Sequence, residues 1–219
     1  MSEYFGGGMH WSLALALAYL SGSLPSAYLA GRLLKGVDLR TVGSGNLGAT
    51  NVYRNLGAVP AIGVLLLDAL KGALPVLYLP VRIAGVFGFQ TNDLLWWGLA
   101  CGVAAIFGHA KPIFLLWKGG GKGVATAAGV FAALAPQALG VTLILFVAVV
   151  AGSGFVSLAS IAAAVVLPIA VAVTMGVKSP VFLVAVMVAA FVVWSHRANI
   201  ARLRAGTEPK TFGKPREAK

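Results

Sequence analysis

Two short stretches combine glycines with polar or basic residues able to hold an anion. The first, "GSGNLGATN" at 43–51, packs Gly43, Gly45 and Gly48 among Ser44, Asn46, Thr50 and Asn51, with Arg54 just beyond. The second, "KGGGKG" at 118–123, sets Lys118 and Lys122 around Gly119, Gly120 and Gly121, with Gly123 closing the run. Glycines let backbone N–H groups converge on an oxyanion, and a lysine adds charge. Arg54 offers a planar, bidentate fork to phosphate or carboxylate. A helix starting near Gly123 would aim its positive end at the same place. A solvated basic turn is the plain alternative for either stretch taken alone.

Two familiar nucleotide motifs are excluded by context. Residues 43–48 fit G-x-G-x-x-G, and Asp68 follows Gly48 by 20 positions, the spacing of a dinucleotide fingerprint. No strand precedes the glycines, however, and Asp68 lies in an apolar run. The 118–123 stretch is no Walker A loop, because Gly123 rather than Ser or Thr follows Lys122.

Other chemistry-bearing residues are scattered. Asp68 and Lys71 stand three apart inside an apolar segment, so they can pair on one helical face as a structural ion pair or as part of a site. His109 closes an apolar segment in "GHAKP". Ser157 opens another in "FVSLAS". His196 and Asn199 share a helical face in "HRANIARL", where the arginines can also meet acidic lipid head groups. The three histidines have no Cys or carboxylate cluster beside them, so no metal site is expected. The six acidic residues form no convincing catalytic dyad, and Cys101, the single cysteine, reads as a small core residue.

These residues must be positioned by membrane-spanning helices. The chain has 219 residues, 59% hydrophobic and 11% charged, where soluble domains carry about 25% charged residues. Mean hydropathy is +0.89. Apolar segments fall at about 11–34, 59–81, 93–113, 124–135, 137–151, 156–175 and 180–195. Without strand alternation, helices are the only sensible spanning structure. The first segment lacks a basic leader and a clear cleavage site, so it reads as a retained span. Residues 124–151 fit either one helix kinked at Pro136 or two short spans turning there.

Charge decides the topology. Seven spans put fourteen of the seventeen lysines and arginines on one side, leaving Arg82 and Lys178 opposite and Lys71 within a span. The positive-inside rule therefore expects an all-α integral membrane protein with seven transmembrane helices, its N-terminus outside and its C-terminus cytoplasmic. Residues 1–204 would form one polytopic domain and 205–219 a basic cytoplasmic tail. Both Gly-rich loops then face the cytoplasm, and two such loops on one face suggest two phosphates. The net charge of +11 is read as membrane topology and phosphate binding, with no nucleic-acid partner expected.

The stretches "GSLPSAYLAGRLLKGVDLRTVGSGNLGATNVYRNLG" (22–57), "DALKG" (68–72), "GHAKPIFLLWKGGGKGVATAAG" (108–129), "SLASI" (157–161) and "HRANIARL" (196–203) together resemble the bacterial acyl-phosphate:glycerol-3-phosphate acyltransferases. One departure is visible: three glycines separate Lys118 from Lys122, where the family usually has two. The resemblance implies transfer of a fatty acyl group from acyl phosphate to the 1-hydroxyl of sn-glycerol 3-phosphate. The products are 1-acyl-glycerol 3-phosphate and inorganic phosphate, the first step of phospholipid synthesis, with no acyl-CoA, cofactor or metal. By motif, the 43–51 loop would hold the acyl phosphate head, and Arg54, Lys122, Ser157, His196 and Asn199 would hold glycerol 3-phosphate. Gly120, Gly121, Gly123 and His109 would complete the binding surface. The expected setting is the bacterial inner membrane, with a monomer facing cytosolic metabolites. An acyl phosphate is already activated, so direct attack by the glycerol hydroxyl is expected, its proton taken by the leaving phosphate or by His196. The rival class is a transporter or exchanger of phosphorylated metabolites using the same loops as an anion gate. No internal repeat accompanies the loops, which argues against it.

Overall fold

The structure, a computed structural model, describes residues 2–87 and 93–211. Every regular element among them is helical. The chain divides into two compact units, residues 1–134 and 135–219.

The first unit contains α1 (Ser2–Ser23), α2 (Ser26–Lys35), α3 (Ala49–Leu56), α4 (Ala58–Phe87), α5 (Leu94–Ala110), a 3-10 turn (Ile113–Leu115) and α6 (Val124–Leu134). Pro25 separates α1 from α2. Helix α1 packs on α4 and α5, and α4 also packs on α3, α5 and α6. Association between apolar helices in lipid depends on close backbone approach through small residues, and the glycines supply it reciprocally. A Cβ on Gly22 of α1 would overlap the Ala105 carbonyl of α5, and one on Gly108 of α5 would overlap the Tyr19 carbonyl of α1. In the same way Gly72 of α4 lies against the Thr126 carbonyl of α6, and Gly129 of α6 against the Ala69 carbonyl of α4. Trp11 stacks on Trp97 with centroids 4.2 Å apart, and Cys101 is buried beside Ala14, Ala18 and Ile83.

The segment that carries the first Gly-rich stretch, residues 35–58, is folded. Residues 49–56 form α3, and Leu39, Leu47 and Val52 are buried with Ala27, Ala61 and Val64 in a small core of their own. A loop with its own apolar residues at the right spacing buries them whatever its flanking charge.

The second unit contains α7 (Pro136–Ser153), α8 (Val156–Met175), α9 (Pro180–Ser195) and α10 (Arg197–Arg204). Helix α8 packs on both α7 and α9, and α10 rests on α8 and α9. The start of α9 carries Ser179, whose side chain accepts from the Val181 N–H at 3.2 Å, with Pro180 in the first turn. Both features satisfy or remove an orphan donor at a helix start. The 124–151 segment is two helices: the chain leaves helical geometry at Ala135, and Pro136 opens α7. Proline cannot donate to the preceding turn, so it fits best at a helix start.

Among the described residues, five helical segments are long and apolar enough to cross a membrane. They are Trp11–Lys35, Ala58–Val86, Leu94–Leu115, Pro136–Ser153 and Val156–Met175. A sixth appears if α9 and α10, bent by 57°, count as one span, and α6 is a shorter apolar helix. The chain is therefore an integral membrane protein, all-helical among the described residues, which hold five or six candidate spans by length and composition.

Candidate functional site

In the first unit the two Gly-rich stretches meet. Asn46 Nδ2 donates to the Gly120 carbonyl at 3.1 Å, and the Leu47 N–H donates to the same oxygen at 3.2 Å. Arg40 reaches across to the Lys118 carbonyl at 3.2 Å. Arg40 is itself held by Asp38, with Nη2 to Oδ2 at 2.7 Å and Nε to Oδ1 at 3.0 Å. That side-chain pairing with Arg40 draws the Asp38 carboxyl down to about 2. The pair is therefore charged on both sides throughout the physiological range.

Within 43–51 the backbone demands its glycines. Gly43 and Gly45 take left-handed φ values of +61° and +68°, a region L-residues with a Cβ adopt at a cost. The turn is fastened by Asn51, which is 2% exposed. Its Oδ1 accepts from the Ser44 N–H at 3.0 Å, and its Nδ2 donates to the Leu39 and Val42 carbonyls at 3.0 and 3.2 Å. Asn55, one helical turn on, donates to the Asn51 carbonyl at 2.8 Å. Asn51 therefore shapes the turn from inside. Thr50 and Arg54 lie on α3 rather than in a loop, with Gly48 in extended geometry before it; Arg54 is exposed.

The 118–123 stretch is fixed at both ends. Leu116 and Trp117 enter it with φ of 51° and 60°, uncommon for non-glycine residues. Trp117 Nε1 donates to the Tyr19 hydroxyl at 2.8 Å, and that hydroxyl donates to the Lys111 carbonyl at 2.8 Å. Gly119 and Gly123 take positive φ, and α6 starts directly after Gly123. Lys122, half-buried, precedes that helix start. The carbonyl of His109 accepts from the Gly121 N–H at 3.1 Å.

Asp68 and Lys71 pair as their spacing suggests, Nζ to Oδ1 at 2.8 Å, with side chains 1% and 7% exposed. Ser26 Oγ also donates to Asp68 Oδ1, and Lys71 Nζ donates to the Leu24 carbonyl at 2.8 Å. A buried ion pair needs such extra partners to offset its desolvation.

The second unit brings Ser157 and Asn199 together around a residue the sequence reading passed over. Glu208, its side chain 4% exposed, accepts from Ser157 Oγ at 2.7 Å and Asn199 Nδ2 at 2.6 Å on Oε1. Arg202 Nε donates to its Oε2 at 2.6 Å. Burial alone would raise the Glu208 carboxyl; the three donors outweigh it and hold it below the ordinary value of 4.5. The segment after α10 is thus folded back: the Thr207 and Glu208 N–H groups donate to the Arg202 carbonyl, and the Thr211 N–H to the Gly154 carbonyl. No periodicity signals this, because an isolated acid in a basic stretch has no helical face to mark it. Lys214, Arg216 and Lys219 of the expected basic tail lie outside the described residues.

His196 sits at the break between α9 and α10 and is buried. Its Nδ1 lies 2.8 Å from the Val192 carbonyl. A carbonyl only accepts, so in the neutral ring Nδ1 carries the hydrogen and Nε2 the lone pair.

A family model described as glycerol-3-phosphate acyltransferase matches residues 12–206. A relative from Synechococcus sp. (strain CC9902), named glycerol-3-phosphate acyltransferase, is 50% identical over 198 residues, covering 90% of this chain and 94% of that one. One of the same name from Geobacter sulfurreducens is 45% identical over 194 residues, covering 88% and 93%. Among solved structures, PlsY (YgiH), an integral membrane glycerol 3-phosphate acyltransferase in its glycerol 3-phosphate form, is similar at a TM-score of 0.78. It is 36% identical, with 93% of this chain and 96% of that chain covered. The lysophosphatidic acid form of PlsY gives a TM-score of 0.75.

Proposed function

The chain belongs to the glycerol-3-phosphate acyltransferase family, and we propose that it transfers a fatty acyl group from acyl phosphate to the 1-hydroxyl of sn-glycerol 3-phosphate. The observation that carries this reading is the junction of the two Gly-rich stretches at the Gly120 carbonyl. Both substrates bear a phosphate, and two joined anion cradles suit a reaction that must bring two phosphates near one carbonyl carbon. In this reading Gly43, Ser44, Gly45, Asn46, Gly48 and Thr50 face the acyl phosphate head, with Asn51 shaping the turn beneath them. Arg54, Lys122, Ser157, His196 and Asn199 hold glycerol 3-phosphate, with Gly120, Gly121 and Gly123 lining its side of the loop.

The step forms a bond between the glycerol oxygen and the acyl carbonyl carbon and breaks the bond from that carbon to the phosphate oxygen. The electron pair leaves with phosphate, which takes the hydroxyl proton. Backbone N–H groups and Lys122 stabilise the charge developing on the carbonyl oxygen and the leaving group. No protein nucleophile is needed, because the donor is already activated. His196, its Nδ1 bound to the Val192 carbonyl, orients the substrate through its other nitrogen.

The reading places both loops on the cytoplasmic side of the bacterial inner membrane. It counts α6 and the bent α9–α10 segment as crossings, which gives seven with the N-terminus outside. The asymmetry of basic residues supports that orientation. Helix α6 has 11 residues, about 16 Å at 1.5 Å per residue, so its crossing relies on the adjoining loops to complete the bilayer thickness.

The test uses purified full-length protein in lipid bicelles with glycerol 3-phosphate and either palmitoyl phosphate or palmitoyl-CoA. Phosphate and lysophosphatidate should appear in equal amounts from acyl phosphate alone. Turnover with palmitoyl-CoA alone would overturn the donor, and no turnover with either in folded protein would overturn the reaction.

A further inference from the structure

We propose that His109 is a positioning residue that sets the height of the 118–123 loop by standing between Asp68 and Gly121. The proposal rests on the reading of that loop as a phosphate cradle. His109 lies in the last turn of α5 and is buried. Its Nδ1 faces Asp68 Oδ1 at 3.8 Å. The opposite edge of the ring meets the loop: a Cβ built on Gly121 would overlap Nε2 and Cε1 and come within 2.9 Å of Cδ2. The backbone adds a second tie, the Gly121 N–H to the His109 carbonyl at 3.1 Å.

The support beneath the ring is itself tied on several sides. Asp68 is held by Lys71 at 2.8 Å and by the Ser26 hydroxyl, and Lys71 is anchored on the Leu24 carbonyl at 2.8 Å. The next residue, Gly72, lies against the Thr126 carbonyl, in the first turn of the helix the loop feeds. One buried charge pair thus braces both the middle of the loop and its exit. The ion pair is costly to bury, and bracing a loop whose backbone must meet an anion at a fixed distance gives it a use.

Gly121 makes this testable in a way its neighbours do not. A side chain at Gly120 meets the Ala110 backbone, and Gly119 and Gly123 take positive φ. At Gly121 the obstacle is a side chain and no left-handed φ forbids alanine, whereas Gly119, which faces the Arg40 side chain, takes a φ of +94°. Gly121→Ala should therefore push the loop off its support, and His109→Ala should remove the obstacle. In the double variant the new methyl group fills part of the space the ring leaves.

The experiment measures kcat, KM for glycerol 3-phosphate and melting temperature for wild type, His109→Ala, Gly121→Ala and His109→Ala/Gly121→Ala. Gly121→Ala should lose about tenfold or more in kcat/KM, chiefly by a raised KM. The double variant should recover most of that loss, since contacting residues couple strongly. A double variant no better than the product of the two singles overturns the proposal, as does a Gly121→Ala protein with wild-type KM. A ring that bound substrate directly would leave the double variant as impaired as the worse single. Should Gly121→Ala not fold, His109→Gln replaces it as the readout: a glutamine keeps bulk beneath Gly121, so it should raise KM less than His109→Ala does, and equal KM in the two variants overturns the proposal. Inactive wild type would refute the functional reading by itself. The same cycle, read as the melting shift caused by glycerol 3-phosphate, would still show recovery in the double variant or overturn the positioning role.

Discussion

Replacing Glu208 separates a structural anchor from a substrate contact. In Glu208→Ala the carboxylate disappears from between Ser157 and Asn199, both buried. Each then loses a buried hydrogen bond to a charged acceptor, at about 1–3 kcal/mol apiece. Arg202 is 41% exposed on its side chain and can re-solvate, so its lost bond adds little. The total is about 2–6 kcal/mol, a large part of a net stability of about 5–15 kcal/mol. Glu208→Gln keeps an oxygen that can accept from Ser157 and Asn199 but removes the charge that strengthens those two bonds, so it should cost about 1–2 kcal/mol. The order of melting temperatures is then wild type, Gln variant, Ala variant, with the Ala variant lower by about 5 °C or more.

Acid should imitate the glutamine variant. The folded-state pKa of Glu208 lies below its unfolded value of 4.5. Its contribution to stability is therefore complete above that value and is lost as pH falls through the folded-state pKa. The assay is thermal unfolding in bicelles followed by tryptophan fluorescence, from neutral pH to below 4.5, beside KM for glycerol 3-phosphate. If Ser157 and Asn199 hold that substrate, releasing them from Glu208 raises KM even where the protein stays folded. An Ala variant melting within 1 °C of wild type with unchanged KM would refute the reasoning, because the three hydrogen bonds could not then be holding either residue.

Three further outcomes are expected. Lys122→Ala should lose about a hundredfold or more in kcat/KM; near-normal turnover in the coupled phosphate assay would remove that loop from the site. His196→Gln should raise KM for glycerol 3-phosphate with kcat falling less than about tenfold, whereas a fall of 10²–10⁴ would assign the proton to His196. Gly129→Ala should destabilise by at least about 1–3 kcal/mol, because its methyl group would overlap the Ala69 carbonyl. Gly63→Ala, with open space around it, should be neutral or stabilising by up to about 1 kcal/mol, and equal melting of the two variants would discredit the interlock of α4 and α6.

What could be read beforehand follows from which residues carry a period. The apolar segments were legible because hydropathy over about 20 residues is a strong signal, and Asp68–Lys71 because i,i+3 spacing fixes a face. The break at Ala135 was half legible: Pro136 marked the place but not whether the helix bent or ended. The small core within 35–58 leaves no such signal, because its apolar residues, Leu39, Leu47 and Val52, are too sparse for any window to register. Glu208 was missed because its partners, Ser157, Asn199 and Arg202, are gathered from 51, nine and six positions away. Tertiary contact of this kind leaves no local pattern.

The two kinds of polar residue in the first unit have opposite tasks. Asn51, Ser26, Asp68 and Lys71 spend their hydrogen bonds on the protein itself. The 43–46 and 118–123 backbones are shaped by them. A phosphate is bound best by donors that do not reorganise when it arrives, and glycine-rich backbone is the least able to stay still unaided. The number of glycines in a cradle therefore sets how much bracing must lie behind it. With three glycines between Lys118 and Lys122, the Gly120 carbonyl is tied to Asn46 and Leu47 on one side while Gly121 is seated on His109 on the other. Gly120 and Gly121 thus anchor the middle of the loop on opposite flanks.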